Sequence, residues 1–342
     1  MSLDVLAAGV VLIGLIAYAI FAGADFGGGV WMALSSSPRG TARREAIFRA
    51  MGPVWETNHI WLILVVVTLF TAFPPAFADL FTALLIPLSI ALVGITFRGA
   101  AFAFRHFGDE AATSLPATVA VFSIASILTP LTMGMALGAI AAGHISIENG
   151  TVTSGLYEPW LRPFPIVCGL IGVAVCGFLT ASYMTTRSTG PMQEEFRNRA
   201  IAASLVLGAL TTVALPVAYW DASAFWDRLD APAPIVMMLL AAAAGLSSLV
   251  VLWQRWFVLA PPAAAGTVAL VIGAWGAVQY PYFILPGVKI DEVAAGHETL
   301  LAFLVALPIG ALILVPSLLL LYFTFSENVS TAGERAAREQ RP

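Results

Sequence analysis

The chain reads as an all-α integral membrane protein: nine transmembrane helices, forming two four-helix bundles and one peripheral helix. Three observations predict this. Hydrophobic residues make up 59% of the 342 residues and charged residues only 11%, far from the proportions of a soluble domain. The apolar residues gather into long stretches, and a hydrocarbon core about 30 Å thick needs roughly 20 apolar helical residues to cross it. The basic residues are segregated as well. Of the 16 Lys and Arg, thirteen fall where they would face one side of a membrane.

The first span is predicted near 5–33. It follows Met1-Ser2-Leu3-Asp4, which has neither a positive n-region nor a small-residue cleavage site, so it is expected to be retained. Loop 35–53 then carries Arg39, Arg43, Arg44 and Arg49. The second span, near 54–73, opens after Gly52-Pro53, and proline suits a first helical turn. The third lies near 79–104 and is followed by the basic loop 105–115; the fourth lies near 116–142. The fifth, near 164–186, holds both cysteines. Cys168 and Cys176 are separated by about 12 Å of helical rise, too far for a disulfide, and read as packing residues. Spans near 200–219, 233–253, 260–279 and 299–325 complete the set. Loop 187–199, a turn at Arg255 and a tail with Arg335, Arg338 and Arg341 continue the basic side. The alternate loops carry only Arg162, Arg228 and Lys289. The positive-inside rule then places the N-terminus outside and the C-terminus in the cytoplasm, which an odd span count requires. A barrel is excluded, because its strands would alternate in polarity rather than run continuously apolar.

Three units are expected: 1–150 as a first bundle, 151–285 as a second, and 286–342 as the ninth span and tail. Val11-Leu12-Ile13-Gly14-Leu15-Ile16-Ala17 resembles Val167-Cys168-Gly169-Leu170-Ile171-Gly172-Val173. An offset of four spans preserves orientation, so the two bundles would form a parallel repeat.

Ionisable residues within the spans are few, and each is a functional candidate. Asp25 lies in the cytoplasmic third of the first span. Glu56 and His59 open the second, three residues apart and so on one helix face. Arg98 lies near the cytoplasmic end of the third. All four fall at one depth on consecutive helices. Carboxylates and an imidazole there could pass protons through water; an ion pair stabilising helix packing is the alternative. Gly23 and Gly27-Gly28-Gly29 around Asp25 allow close helix approach.

Other chemistries lack their ligands. His59 and His106 lie towards one side and His144 and His297 towards the other, with no facing pair at mid-membrane, so the chain is expected to bind no haem. There is no His, Cys and carboxylate cluster for a metal, no phosphate-binding loop, and no basic run with interleaved aromatics for nucleic acid.

Three segments carry a family resemblance. Gly23-Ala24-Asp25-Phe26-Gly27-Gly28-Gly29, Gly52-Pro53-Val54-Trp55-Glu56-Thr57-Asn58-His59-Ile60-Trp61-Leu62 and Phe97-Arg98-Gly99-Ala100-Ala101-Phe102-Ala103-Phe104-Arg105 occur in this order. They resemble the Gly-Phe-Asp-Leu-Gly-x-Gly, Gly-Pro-x-Trp-Asp/Glu-x-Asn-Glu-x-Trp-Leu and Arg-Gly-x-x-Phe-Glu-Phe-Arg segments of subunit II of cytochrome bd-type quinol oxidases. Length and span number match as well. Three positions depart. The family has an acid where this chain has His59 and Ala103, and often one at Ala22. His59 can still relay protons; the alanines cannot.

The resemblance implies a heterodimer in the bacterial cytoplasmic (inner) membrane, inactive as a single subunit. Subunit I would hold haems b and d and the quinol site, and would reduce O2 to water. This subunit would bind no cofactor itself, support its partner and contribute a proton path through Glu56, Asp25 and His59, with Arg98 as electrostatic partner. The quinone, a small third subunit and a structural quinone or lipid site are left open. Two other readings stand beside it. A secondary transporter with parallel repeats would have helices broken at prolines such as Pro87, Pro216, Pro308 and Pro316. A scaffold subunit would conduct nothing.

Overall fold

The structure, a computed structural model, describes residues 2–35, 40–51, 58–107 and 116–339. With no water in a bilayer core, every backbone polar group must be paired within the chain, and helices achieve this locally. Helix α1 spans Leu3–Ala33, followed by α2 (Gly40–Met51), α3 (Ile60–Ala72), α4 (Pro74–Ala83), α5 (Leu85–Phe107) and α6 (Pro116–Ala142). A two-stranded hairpin, β1 (Ile147–Glu148) and β2 (Thr151–Val152), leads to α7 (Pro163–Arg187) and α8 (Gly190–Asp221). Then come the short α9 (Ser223–Trp226), α10 (Pro232–Trp253), a 3-10 turn at Phe257–Leu259 and α11 (Ala260–Gln279). A second hairpin, β3 (Tyr282–Ile284) with β4 (Val288–Lys289), precedes α12 (His297–Glu339).

Among the described residues, 8 helices are long and apolar enough to cross a membrane, and the 13-residue α3 is a shorter apolar helix. The protein is therefore a multi-pass, all-α membrane protein. Residues 52–57, which hold Glu56 and the start of the second predicted span, lie outside the described residues.

Prolines mark several boundaries. Pro74 and Pro75 open α4. The residue before a proline is pushed out of the α region, so α3 stops at Ala72 and Phe73 adopts φ −138° and ψ 58°. The segment between the second and third predicted spans is thus helical, with a break at Leu84 before α5. Elsewhere prolines do not interrupt. Pro216 lies within α8, and Pro308 and Pro316 within α12. Pro87 sits in the first turn of α5, where a missing N–H costs nothing.

Helix α7 is central. It packs against α1, α6, α8 and α11, while α1 also packs on α3 and α6, and α5 on α6. Helices α1 and α6 therefore both meet the second half of the chain through α7. Glycine makes the α6–α7 crossing tight: a Cβ on Gly134 would lie 2.5 Å from the Cys168 carbonyl oxygen, and one on Gly169 would lie 2.6 Å from that of Leu131. Both cysteines are free; Cys168 lies at this crossing, and Cys176 packs against α1 at Gly23 and Gly27. Apolar side chains of α8, α10 and α12 point outwards, among them Val206, Leu239 and Leu312.

Candidate functional site: a buried ion pair beside His59

One face of α1 builds the floor of the site. Tyr18, Ala22, Asp25, Phe26 and Gly29 are all buried, at spacings of three and four that place them along one stripe. Asp25 is 4% exposed. A carboxylate so placed costs several kcal/mol unless it is compensated. The compensating charge is Arg98 of α5, 1% exposed, whose guanidinium lies 2.7 Å from the Asp25 carboxylate.

The rest of the guanidinium is held by α1 and α6. Its Nε donates to the Ser126 hydroxyl at 3.1 Å, and a terminal nitrogen donates to the Asp25 backbone carbonyl at 3.2 Å. The ring centres of Phe26 and Phe122 stand 4.9 and 4.8 Å from its carbon, cation–π contacts that strengthen away from water. One arginine thus joins three helices. Neither Asp25 carboxylate oxygen makes an aligned hydrogen bond among the described residues, so the pair is held by charge and proximity.

Helix α1 is pinned to α7 on its other side. The Thr180 hydroxyl donates to the Ala24 carbonyl at 2.5 Å, and Trp31 Nε1 donates to the Gly177 carbonyl at 2.8 Å. Any side chain at Gly27 would collide with the Cys176 carbonyl and Thr180, which is why the glycine run follows Asp25.

His59 caps the N-terminus of α3 and turns its ring into the same region. The ring centre lies 6.0 Å from that of Tyr18 and 6.1 Å from that of Phe26. Asp25, Arg98 and His59, picked out from the sequence, are brought together, and Glu56 lies outside the described residues. An imidazole can accept and release a proton near neutral pH, and the Arg98 guanidinium gives the Asp25 carboxylate a counter-charge. The arrangement sets one group that can exchange protons beside a buried ion pair.

Two groups of charges were not singled out from the sequence. At the arginine-rich end, Arg43 pairs with Glu195, and Arg199 lies 3.0 Å from Glu195 with its guanidinium 4.9 Å from the Trp31 ring. Glu194 bridges Arg197 and Arg255 at 2.9 and 2.8 Å. At the opposite end, the buried Asp221 accepts from Arg162 Nε at 2.8 Å and from the Phe164 amide at 2.9 Å. His144 Nε2 lies 2.5 Å from its backbone carbonyl. An acid at the end of one apolar run, and an arginine just before the start of another, were the available signals for that cluster. Ser126, Phe122 and Tyr18 carried no such mark.

The fold and this site define the class, a multi-pass all-α membrane protein with a buried ion pair between α1 and α5. Residues 3–325 match the family model described as cytochrome bd terminal oxidase subunit II, and the chain belongs to that family. It is similar to the cytochrome bd-I ubiquinol oxidase subunit 2 of Escherichia coli (strain K12), 28% identical over 201 residues, 58% of this chain and 52% of that one. It is also similar to the cytochrome bd ubiquinol oxidase subunit 2 of Bacillus subtilis (strain 168), 26% identical over 178 residues, 52% of each chain. These matches span about half the length of the curated relatives. A chain from the structure of bd oxidase from Geobacillus thermodenitrificans shares the fold, with a TM-score of 0.80 at 23% identity over 95% of this chain and 99% of that one.

Proposed function

We propose that this chain is the haem-free subunit of a bacterial quinol oxidase of the cytochrome bd type, and that its arginine-rich end feeds protons towards oxygen reduction. The supporting observation is the buried Asp25–Arg98 pair with His59 beside it. A structural lock alone would not call for a titratable ring on the same spot. Glu56, three residues before His59, is assigned to the mouth of the path, with Asp25 and His59 behind it. Arg98 is the positioning residue: its guanidinium holds the Asp25 carboxylate in place and sets the field that a proton meets.

The wider reading follows family membership. A haem-bearing subunit I would be the partner in a heterodimer and would carry haems b and d, with quinol and O2 as substrates of the complex and the bilayer as its medium. In this chain His59 packs against Tyr18 and Phe26, and His144 is engaged with Asp221. Neither is set against a second axial ligand, and we assign no haem, metal or other cofactor to it. We further assign nine spans in two four-helix units, 1–150 and 151–285, with 286–342 as the peripheral ninth span and tail. The N-terminus would lie outside the cytoplasmic membrane and the C-terminus in the cytoplasm. The helices that run unbroken through Pro216, Pro308 and Pro316 do not favour the transporter alternative.

The test is affinity purification of the tagged full chain from its native membrane. A co-purifying haem-bearing nine-span protein, with quinol-dependent oxygen uptake by the pair, is the expected result. A chain that purifies alone, or a haem spectrum abolished by changing one of its own four histidines, would overturn the assignment.

A further inference from the structure

The inner end of the site holds two polar atoms that the chain leaves unpaired. The Tyr18 hydroxyl and His59 Nδ1 are both buried, and neither has a hydrogen-bond partner among the described residues. They belong to neighbouring helices whose rings approach to 6.0 Å. A buried donor or acceptor left unsatisfied costs about 1–3 kcal/mol, so native structures avoid it, and buried water commonly satisfies such groups. Apolar side chains packed with Tyr18 include Ala22, Phe26, Cys176, Trp61, Ile95 and Met133.

Tyr18 lies seven residues before Asp25, two turns along the same stripe of α1, or about 10.5 Å deeper. Beyond it, the buried residues of that stripe are Gly14, Val11 and Ala7, none of them polar. Polar chemistry along α1 therefore runs from Asp25 past His59 and stops at Tyr18.

We infer that a buried water bridges the Tyr18 hydroxyl and His59 Nδ1, and that Tyr18 is the inner terminus of the proton-conducting column. This deepens the function proposed above and rests on it. The hydroxyl can accept one hydrogen bond while donating another. Tyr18 donates to the water and orients it towards His59 Nδ1; its own O–H bond stays intact and no proton passes beyond it. Tyr18 thus positions the water beside His59, and it touches no substrate.

The experiment compares the purified complex carrying Tyr18→Phe, Asp25→Asn or neither, by quinol-driven oxygen uptake in H2O and D2O. Tyr18→Phe keeps the ring and removes the hydroxyl. We expect uptake to fall about tenfold, equivalent to about 1.4 kcal/mol. The solvent isotope effect should change while the haem spectrum stays as in the wild type. A wild-type rate and isotope effect in Tyr18→Phe, with Asp25→Asn slowed, would overturn the inference and leave the proposed function standing. Wild-type behaviour in both would remove both. If Tyr18→Phe does not assemble, the wild-type complex decides at a resolution that shows water. Density between the two atoms supports the inference, and direct contact or apolar closure overturns it.

Discussion

Arg98 is a charge that cannot reach water, and its surroundings are arranged around that fact. Asp25 supplies the counter-charge, Ser126 a hydroxyl, and Phe26 and Phe122 their ring faces. Removing one member of a buried pair strands the other. Arg98→Ala should cost about 3–5 kcal/mol and lower the yield and thermal midpoint of the assembled complex. Asp25→Asn, which keeps the shape, should be better tolerated in assembly. Thermal unfolding of the two purified variants tests this, and equal stability would mean that the pair is not buried in the complex. Asp25, His59 and Arg98 were legible in the sequence because an ionisable group inside an apolar run stands out. Ser126, Phe122 and Tyr18 were not, because a serine or aromatic in a membrane helix is ordinary until its neighbours are known. That Arg98 is clamped by three helices is a fact of tertiary packing, and spacing along one helix could not have revealed it.

At the scale of elements, the α6–α7 crossing is a tight joint that the sequence left unremarked. Backbone carbonyls face Gly134 and Gly169, and a backbone cannot step aside as a flexible side chain can. Gly134→Val should therefore destabilise the complex by about 1–3 kcal/mol or more through overpacking. Gly9→Ala, on α1 where nothing lies within 4 Å, should be neutral or slightly stabilising, since alanine is the better helix former. Thermal midpoints of the two variants decide, and similar values would argue against the crossing. Span positions were legible because apolar length is a strong signal. The helical segment at Pro74–Ala83 was not, since two consecutive prolines read as a loop although they also suit a first helical turn.

For the whole molecule, charge segregation carries the argument. Arg43, Arg197, Arg199 and Arg255 gather with Glu194 and Glu195 at the end of the molecule beyond Trp31, whereas Arg162 and His144 gather round Asp221 at the other. A reporter fused after Pro342 should accordingly be active only in the cytoplasm; activity only on the outer side would invert the molecule and separate the site from its proton source. The exposed apolar faces of α8, α10 and α12 suit lipid or another subunit equally, so apolar pattern alone does not mark the face a partner would cover. The central claim is that the arginine-rich end conducts protons for oxygen reduction. Its most direct measurement is quinol-driven oxygen uptake by the purified complex carrying Glu56→Gln, which keeps the size and removes the titratable group. Uptake slowed by about tenfold or more, equivalent to at least about 1.4 kcal/mol, with an unchanged haem spectrum is the expected result. A wild-type rate and pH profile would contradict it.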